Sequence, residues 1–159
     1  MIKYSLKLSF LVKIFIIYLT ICLKSYADDA VVNKKVVSVG PNDAAVKIKI
    51  FSSLTCPHCA SFHNNVVPEI IKSYVNSGKV QLIFIDFPLD LAAFNAAKLL
   101  HCLDQNKQIA FLNVIYETQS RWTNGTNIED INKNLKNIVK ELGVSSENFD
   151  KCLIDEAVS

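Results

Sequence analysis

Outside its first 27 residues, the chain lacks an excess of basic charge. The 159 residues carry a formal charge of +2, but Lys3, Lys7, Lys13 and Lys24 all lie in that leading segment. Without these four, residues 28–159 hold 13 Lys and Arg against 15 Asp and Glu, a net charge of −2. No basic stripe remains, so nucleic acid is not expected as a partner.

The leading segment also lacks an apolar run long enough to cross a bilayer as an ordinary helix. Its apolar core, Ile14–Leu23, has 10 residues, where a spanning helix needs about 20. Lysines flank this core, no acidic residue precedes it, and Ser25-Tyr26-Ala27 follows, with small residues at both positions that a signal peptidase reads. Residues 1–27 are therefore predicted to be a secretory signal peptide, which implies export to an oxidising compartment such as the periplasm. An uncleaved inner-membrane anchor is the alternative interpretation.

Internal repeats and low-complexity tracts are absent as well. Once residues 1–27 are removed, 132 residues remain, enough to bury the core of one domain but not of two independent ones. The first half reads as strand, helix and strand, over Val46–Ser52, Cys56–Ser77 and Val80–Asp86, with a short edge strand at Val36–Val39 before them. This βαβ pattern predicts parallel pairing of the two long strands and an α/β fold.

The long predicted helix contains Pro68, which predicts a kink, and Gly78, which predicts its end. From residue 89 onward the sequence becomes helical, with apolar residues at helical spacing in Leu89–Asp104, Ile109–Glu117 and Ile128–Leu142. A last short helix carries Cys152. Within this block we expect His101 to be an exposed helix residue and Trp122, in a polar loop, to pack on the helices.

Cysteine usage agrees with export. Loss of Cys22 with the signal peptide leaves four cysteines, which allow three pairings. The spacing C-x-x-C favours a pair between Cys56 and Cys59, which leaves Cys102 and Cys152 as a long-range structural disulfide. Two unpaired buried cysteines are the alternative for Cys102 and Cys152.

Cys56-Pro57-His58-Cys59 is the most informative motif, because a predicted strand precedes it and a predicted helix follows. The first sulfur then lies at a helix N-terminus, where unpaired N–H groups and the helix dipole favour a thiolate. Such a thiolate attacks disulfides and leaves readily from them, so the motif predicts thiol–disulfide exchange. A zinc site would use Cys56, Cys59, His63 and His58, but the second ligand pair of a structural site is absent and no metal is expected.

These residues resemble the disulfide-bond protein A (DsbA) family of bacterial envelope oxidoreductases, which are thioredoxin folds with an inserted helical domain. The resemblance runs from Val36 to Leu153. It rests on these residues and segments: Phe51, Thr55–Ala60, Phe62-His63, Pro68, Gly78-Lys79-Val80, Asp86–Leu89, the Ala-rich segment that ends in Cys102, and Phe149-x-x-Cys152-Leu153. It implies that residues 28–88 form the first part of the thioredoxin-like domain and residues 89–159 the helical insertion domain.

The resemblance also implies roles. Cys56 would be the reactive cysteine and Cys59 the resolving one, while Pro57 and His58 would tune the redox potential and His58 would stabilise the Cys56 thiolate. The implied activity is oxidation of exported proteins without a cofactor, and the implied electron acceptor is a membrane quinone-linked thiol oxidase. A disulfide isomerase or reductase would use the same residues with a different redox poise.

Proline is scarce, and its distribution departs from the family pattern. Family members continue after the helical insertion with a loop that ends in a cis-proline, then two strands and a helix. Here no proline follows Pro88, so we expect the C-terminal ββα half of the fold to be missing. The strand Val46–Ser52 would then have an exposed edge, and the chain would be marginally stable. A catalytically incompetent remnant or binding module is therefore the alternative function.

Overall fold

A three-stranded sheet carries the first half of the molecule. The computed structural model describes residues 36–155, so the predicted signal peptide at residues 1–27 lies outside the described residues. Strand β1 spans Val37–Val39, β2 spans Val46–Ser52 and β3 spans Val80–Asp86. The order is β1-β3-β2, with β2 parallel to β3 and β1 antiparallel to it. The predicted βαβ unit is confirmed.

The helix between β2 and β3 is interrupted. Helix α1 spans Pro57–Asn65, α2 spans Val67–Ile70, and a π-helical turn spans Ile71–Val75. The interruption lies at Val66, two residues before Pro68, because the proline ring lacks an N–H and crowds the carbonyl of the preceding turn. Gly78 ends the segment at a φ of +74°, a conformation that glycine adopts without strain.

Five helices form the second half: α3 Leu91–Cys102, α4 Gln105–Glu117, α5 Gln119–Trp122, α6 Ile128–Glu141 and α7 Ser146–Ile154. Trp122 is fully buried, and its Nε1–H donates to the carbonyl of Ile115 at 2.9 Å. The packing predicted for Trp122 is thus confirmed, but its segment is a short helix, not a loop. None of the helices within residues 36–155 combines the length and the apolar character that a bilayer-spanning helix needs.

A disulfide links two helices of the helical block. The structure joins Cys102, at the end of α3, to Cys152 on α7. Cys152 is buried, whereas Cys102 is exposed. The bond links two helices that already pack against each other, so it closes the helical block on itself.

One edge of the sheet is uncovered. Within residues 36–155, β2 pairs with β3 only, and Val46 and Phe51 on β2 are 51% and 62% exposed. The exposed edge predicted for Val46–Ser52 is present. The low stability expected to follow from it stays a prediction.

Candidate redox site

Cys56 forms the N-terminal cap of α1. Its main chain is extended, with φ −77° and ψ 120°, and its Sγ accepts the N–H of Cys59 at 3.4 Å. Pro57 occupies the first helical turn, where its missing N–H costs nothing. The hydrogen bonds from Cys59 are the main cause of a Cys56 pKa below the ordinary 9.0 of a thiol, and the main-chain N–H of His58 contributes to the same shift.

Cys59 lies one turn further in and behaves in the opposite way. Burial raises the pKa of its thiol above 9.0, and the nearby Cys56 sulfur raises it further. Both cysteines are free thiols in the structure. The pair is therefore asymmetric: the outer sulfur favours a thiolate, and the inner sulfur favours a protonated thiol.

His58 is exposed. The contact it makes with the Cys56 sulfur in the structure is through its main-chain N–H. The tuning role expected of its imidazole stays a prediction.

The loop that precedes Cys56 is held from the helical block by two polar side chains that sequence reasoning missed. Gln119, on α5, donates from Nε2 to the carbonyl of Leu54 at 2.8 Å and to that of Cys56 at 3.0 Å. Asp90 accepts from the Thr55 hydroxyl at 2.7 Å through one oxygen and caps α3 at Ala93 N–H, also at 2.7 Å, through the other. An aspartate just before an apolar run is a helix-start signal, so the capping role of Asp90 could have been predicted. No sequence pattern predicts that Gln119 contacts a loop 63 residues earlier in the chain.

A groove of about 300 Å³ lies beside Cys59, between β2, α1 and α4. Its floor includes Tyr116, whose hydroxyl donates to Ser52 Oγ at 2.8 Å and whose pKa is raised to about 12, mainly by burial. His63 lines the same groove, with Nε2 at 2.8 Å from Asn113 Oδ1. Burial lowers the pKa of His63 below its usual 6.5, which favours the neutral ring.

The structure corrects the expectation for His101 and shows which rings surround His63. His101 is not an exposed helix residue: its ring pairs with the carboxylate of Asp86 at the end of β3, and its side chain is only 14% exposed. His101 Nε2 lies within hydrogen-bond distance of the Asp86 carboxylate, so the ring meets Asp86 instead of water. His63 packs against the rings of Phe84 and Tyr116. Between residues 36 and 155, no cluster of three or more His, Cys, Asp or Glu side chains is arranged to hold a metal ion.

A sheet, a cysteine that caps a helix and a half-buried partner cysteine are features of thioredoxin-like proteins, and comparison with known proteins agrees. The family model described as thioredoxin matches residues 32–159. The chain belongs to the thioredoxin family.

Its relatives place it among the DsbA-like members of this family. The "Probable disulfide bond formation protein D" of Bacillus anthracis is 37% identical over 109 residues, which are 65% of this chain and 48% of the relative. The crystal structure of Wolbachia pipientis alpha-DsbA1 matches with a TM-score of 0.71 and 31% identity, covering 78% of this chain and 62% of that one. A protein-disulfide isomerase from Novosphingobium aromaticivorans shares the fold, with a TM-score of 0.69 at 21% identity.

The DsbA-like core and its helical insertion are therefore shared with proteins of known structure. The chain spans about half the length of the curated relatives it matches. The expected architecture, an α/β thioredoxin-like unit with an inserted helical domain, is confirmed. The division at residues 88 and 89 stays a prediction.

Proposed function

We propose that this chain is a thiol–disulfide oxidoreductase of the bacterial envelope that introduces disulfides into exported proteins through Cys56 and Cys59. The observation that carries the proposal is the position of Cys56 Sγ at the N-terminus of α1, 3.4 Å from the N–H of Cys59. A thiolate stabilised there makes the reduced pair stable and the oxidised pair a good oxidant.

The reaction starts from the Cys56–Cys59 disulfide. A substrate thiolate attacks Cys56 Sγ, a substrate–Cys56 bond forms, and the Cys56–Cys59 bond breaks. Cys59 leaves with the electron pair and takes up a proton, which its raised pKa favours. A second substrate thiolate then attacks the substrate sulfur of the mixed disulfide and releases Cys56 as a thiolate. Two electrons pass from the substrate dithiol to the enzyme disulfide.

The asymmetry of the pair supports the direction of the second step. A protonated Cys59 is a poor nucleophile, so it returns slowly to the mixed disulfide, while Cys56 is a good leaving group because its pKa is low. The second substrate thiolate therefore competes well for the mixed disulfide. Reoxidation requires an acceptor of two electrons, for which we propose a membrane quinone-linked thiol oxidase.

Oxidation of a dithiol peptide tests the proposal. The purified chain, oxidised beforehand, should convert the peptide stoichiometrically and, with added oxidised glutathione, catalytically. Cys56→Ser is the control, since it removes the attacked sulfur. No conversion above this control would end the oxidase proposal. Repair of a wrongly paired substrate, without net oxidation of a dithiol, would favour an isomerase.

A non-catalytic binding module is the second candidate, and the uncovered edge of β2 favours it. Phe51 on this edge is 62% exposed and lies beside the groove next to Cys59. An unpaired edge of this kind accepts an added strand. A chain that binds an extended peptide but does not oxidise the dithiol peptide would support this candidate over the first.

A further inference from the structure

Gln119 connects the helical block to the residues around the reactive cysteine. The side chain lies on α5 and is only 9% exposed. Its Nε2 donates to two main-chain carbonyls, those of Leu54 at 2.8 Å and Cys56 at 3.0 Å. We propose that Gln119 is a positioning residue that holds Cys56 in the geometry in which its sulfur meets the N-terminus of α1. This inference rests on the proposed redox function.

The carbonyl of Cys56 is the key acceptor. It also accepts the N–H of Ala60 at 3.1 Å, which is the first hydrogen bond of α1. Gln119 therefore binds the same oxygen that starts the helix. Because it also binds the carbonyl of Leu54, Gln119 fixes the main chain on both sides of Thr55. One of these sides is Cys56, whose sulfur accepts the Cys59 N–H.

Two fixed carbonyls restrict the rotation of the main chain at Cys56. The observed φ of −77° and ψ of 120° direct Sγ toward the Cys59 N–H. Without the Gln119 amide, the carbonyl of buried Leu54 must seek another donor and the carbonyl of Cys56 keeps only the N–H of Ala60. The loop can then turn the sulfur away from the helix terminus. The thiolate then loses hydrogen bonds that the neutral thiol needs less.

The same helical block offers a matched control. Gln108, on α4, is buried and donates from Nε2 to the carbonyl of Leu100 at 3.2 Å. Its bond is of the same kind as those of Gln119, but it joins two parts of the helical block and does not touch the residues around Cys56. Gln108→Met therefore removes a buried amide of the helical block and should leave the redox pair unchanged.

The test is carried out on the full chain and measures two properties of the pair without any protein substrate. These are the equilibrium constant with glutathione and the pKa of Cys56 from thiolate absorbance. Gln119→Met should lower the equilibrium constant for oxidising glutathione about fivefold, as expected for about one lost hydrogen bond, and raise the pKa of Cys56. At 29.6 mV per tenfold change, this is about 20 mV.

Gln119→Glu should move both quantities further, because a carboxylate cannot donate and adds negative charge beside two carbonyls and the thiolate. If Gln119→Met does not fold, Gln119→Asn, which retains the amide but shortens its reach, should change both quantities in the same direction. Unchanged values in all folded Gln119 variants, or an equal change in Gln108→Met, would overturn the inference. Neither readout requires dithiol oxidation, so a failure of the proposed function would be seen separately.

Discussion

Removing the Cys102–Cys152 disulfide should cost much of the stability of this fold. The two cysteines are 50 residues apart, and a loop of that length lowers the entropy of the unfolded chain by about 14 cal/mol/K, or about 4 kcal/mol at 25 °C. Cys152 is 4% exposed, so replacing its sulfur by hydrogen adds a small cavity that costs roughly 1 kcal/mol. The double variant Cys102→Ala/Cys152→Ala should thus lose about 4–5 kcal/mol, a large part of the ~5–15 kcal/mol typical of a native domain.

Urea unfolding measures this loss. Both proteins should carry Cys56→Ser and Cys59→Ser, so that the redox pair contributes to neither. The matched control is the disulfide-containing protein before and after treatment with a reductant, which removes the crosslink but keeps the sulfur atoms. A loss below about 1 kcal/mol in both comparisons would refute the entropic argument, and a loss only in the alanine variant would assign the effect to packing.

Three further outcomes follow from the site. The pKa of Cys56 is lowered from 9.0, so its ionisation stabilises the fold at pH values above 9, and this stabilisation is lost as pH falls through the folded pKa. The unfolding free energy of the reduced protein, relative to that of Cys56→Ser, should therefore rise with pH toward 9. A difference that does not change with pH would contradict the shift. The pKa of His63 is lowered from 6.5 by burial, so below pH 6.5 the unfolded state binds more protons and the free energy of unfolding should decrease as pH falls. His63→Gln should reduce this dependence on pH. An unchanged dependence in this variant would assign it to another group. Asp90→Ala loses both the α3 cap and the bond to Thr55, which should cost about 1–2 kcal/mol in urea unfolding; Asp90→Asn, which can still cap, should cost less, and an equal cost would show that the cap is not the main contribution.

Local patterns predicted the elements of this fold well. The bounds of β2 and β3 agree with the strands expected from the sequence, because β2 alternates apolar residues with lysines and β3 is a short, largely apolar run. Gly143, with a φ of +80°, lies just after α6, where glycine commonly ends a helix. The redox motif itself is contiguous, so the sequence was enough to predict that Cys56 would lie at a helix N-terminus.

Contacts between distant residues could not be read in this way. Gln119 and Cys56 are 63 residues apart, and His63 and Asn113 are 50 apart, so no periodicity connects them. His101 was expected to be exposed because the sequence of its helix does not reveal a polar partner. The partner, Asp86, belongs to a strand and lies 15 residues earlier in the chain. The position of the helix break at Val66 depends on where the chain relieves the crowding by Pro68, which the sequence alone leaves open.

The redox potential of the Cys56–Cys59 pair tests the central claim most directly. It is measured by equilibrating the purified chain with reduced and oxidised glutathione and trapping the free thiols. An outer thiolate stabilised at the helix N-terminus predicts an oxidising pair, with a potential closer to about −120 mV than to the roughly −270 mV of thioredoxin. A potential at or below the thioredoxin value would contradict the account, because the arrangement around Cys56 would then not favour the reduced pair.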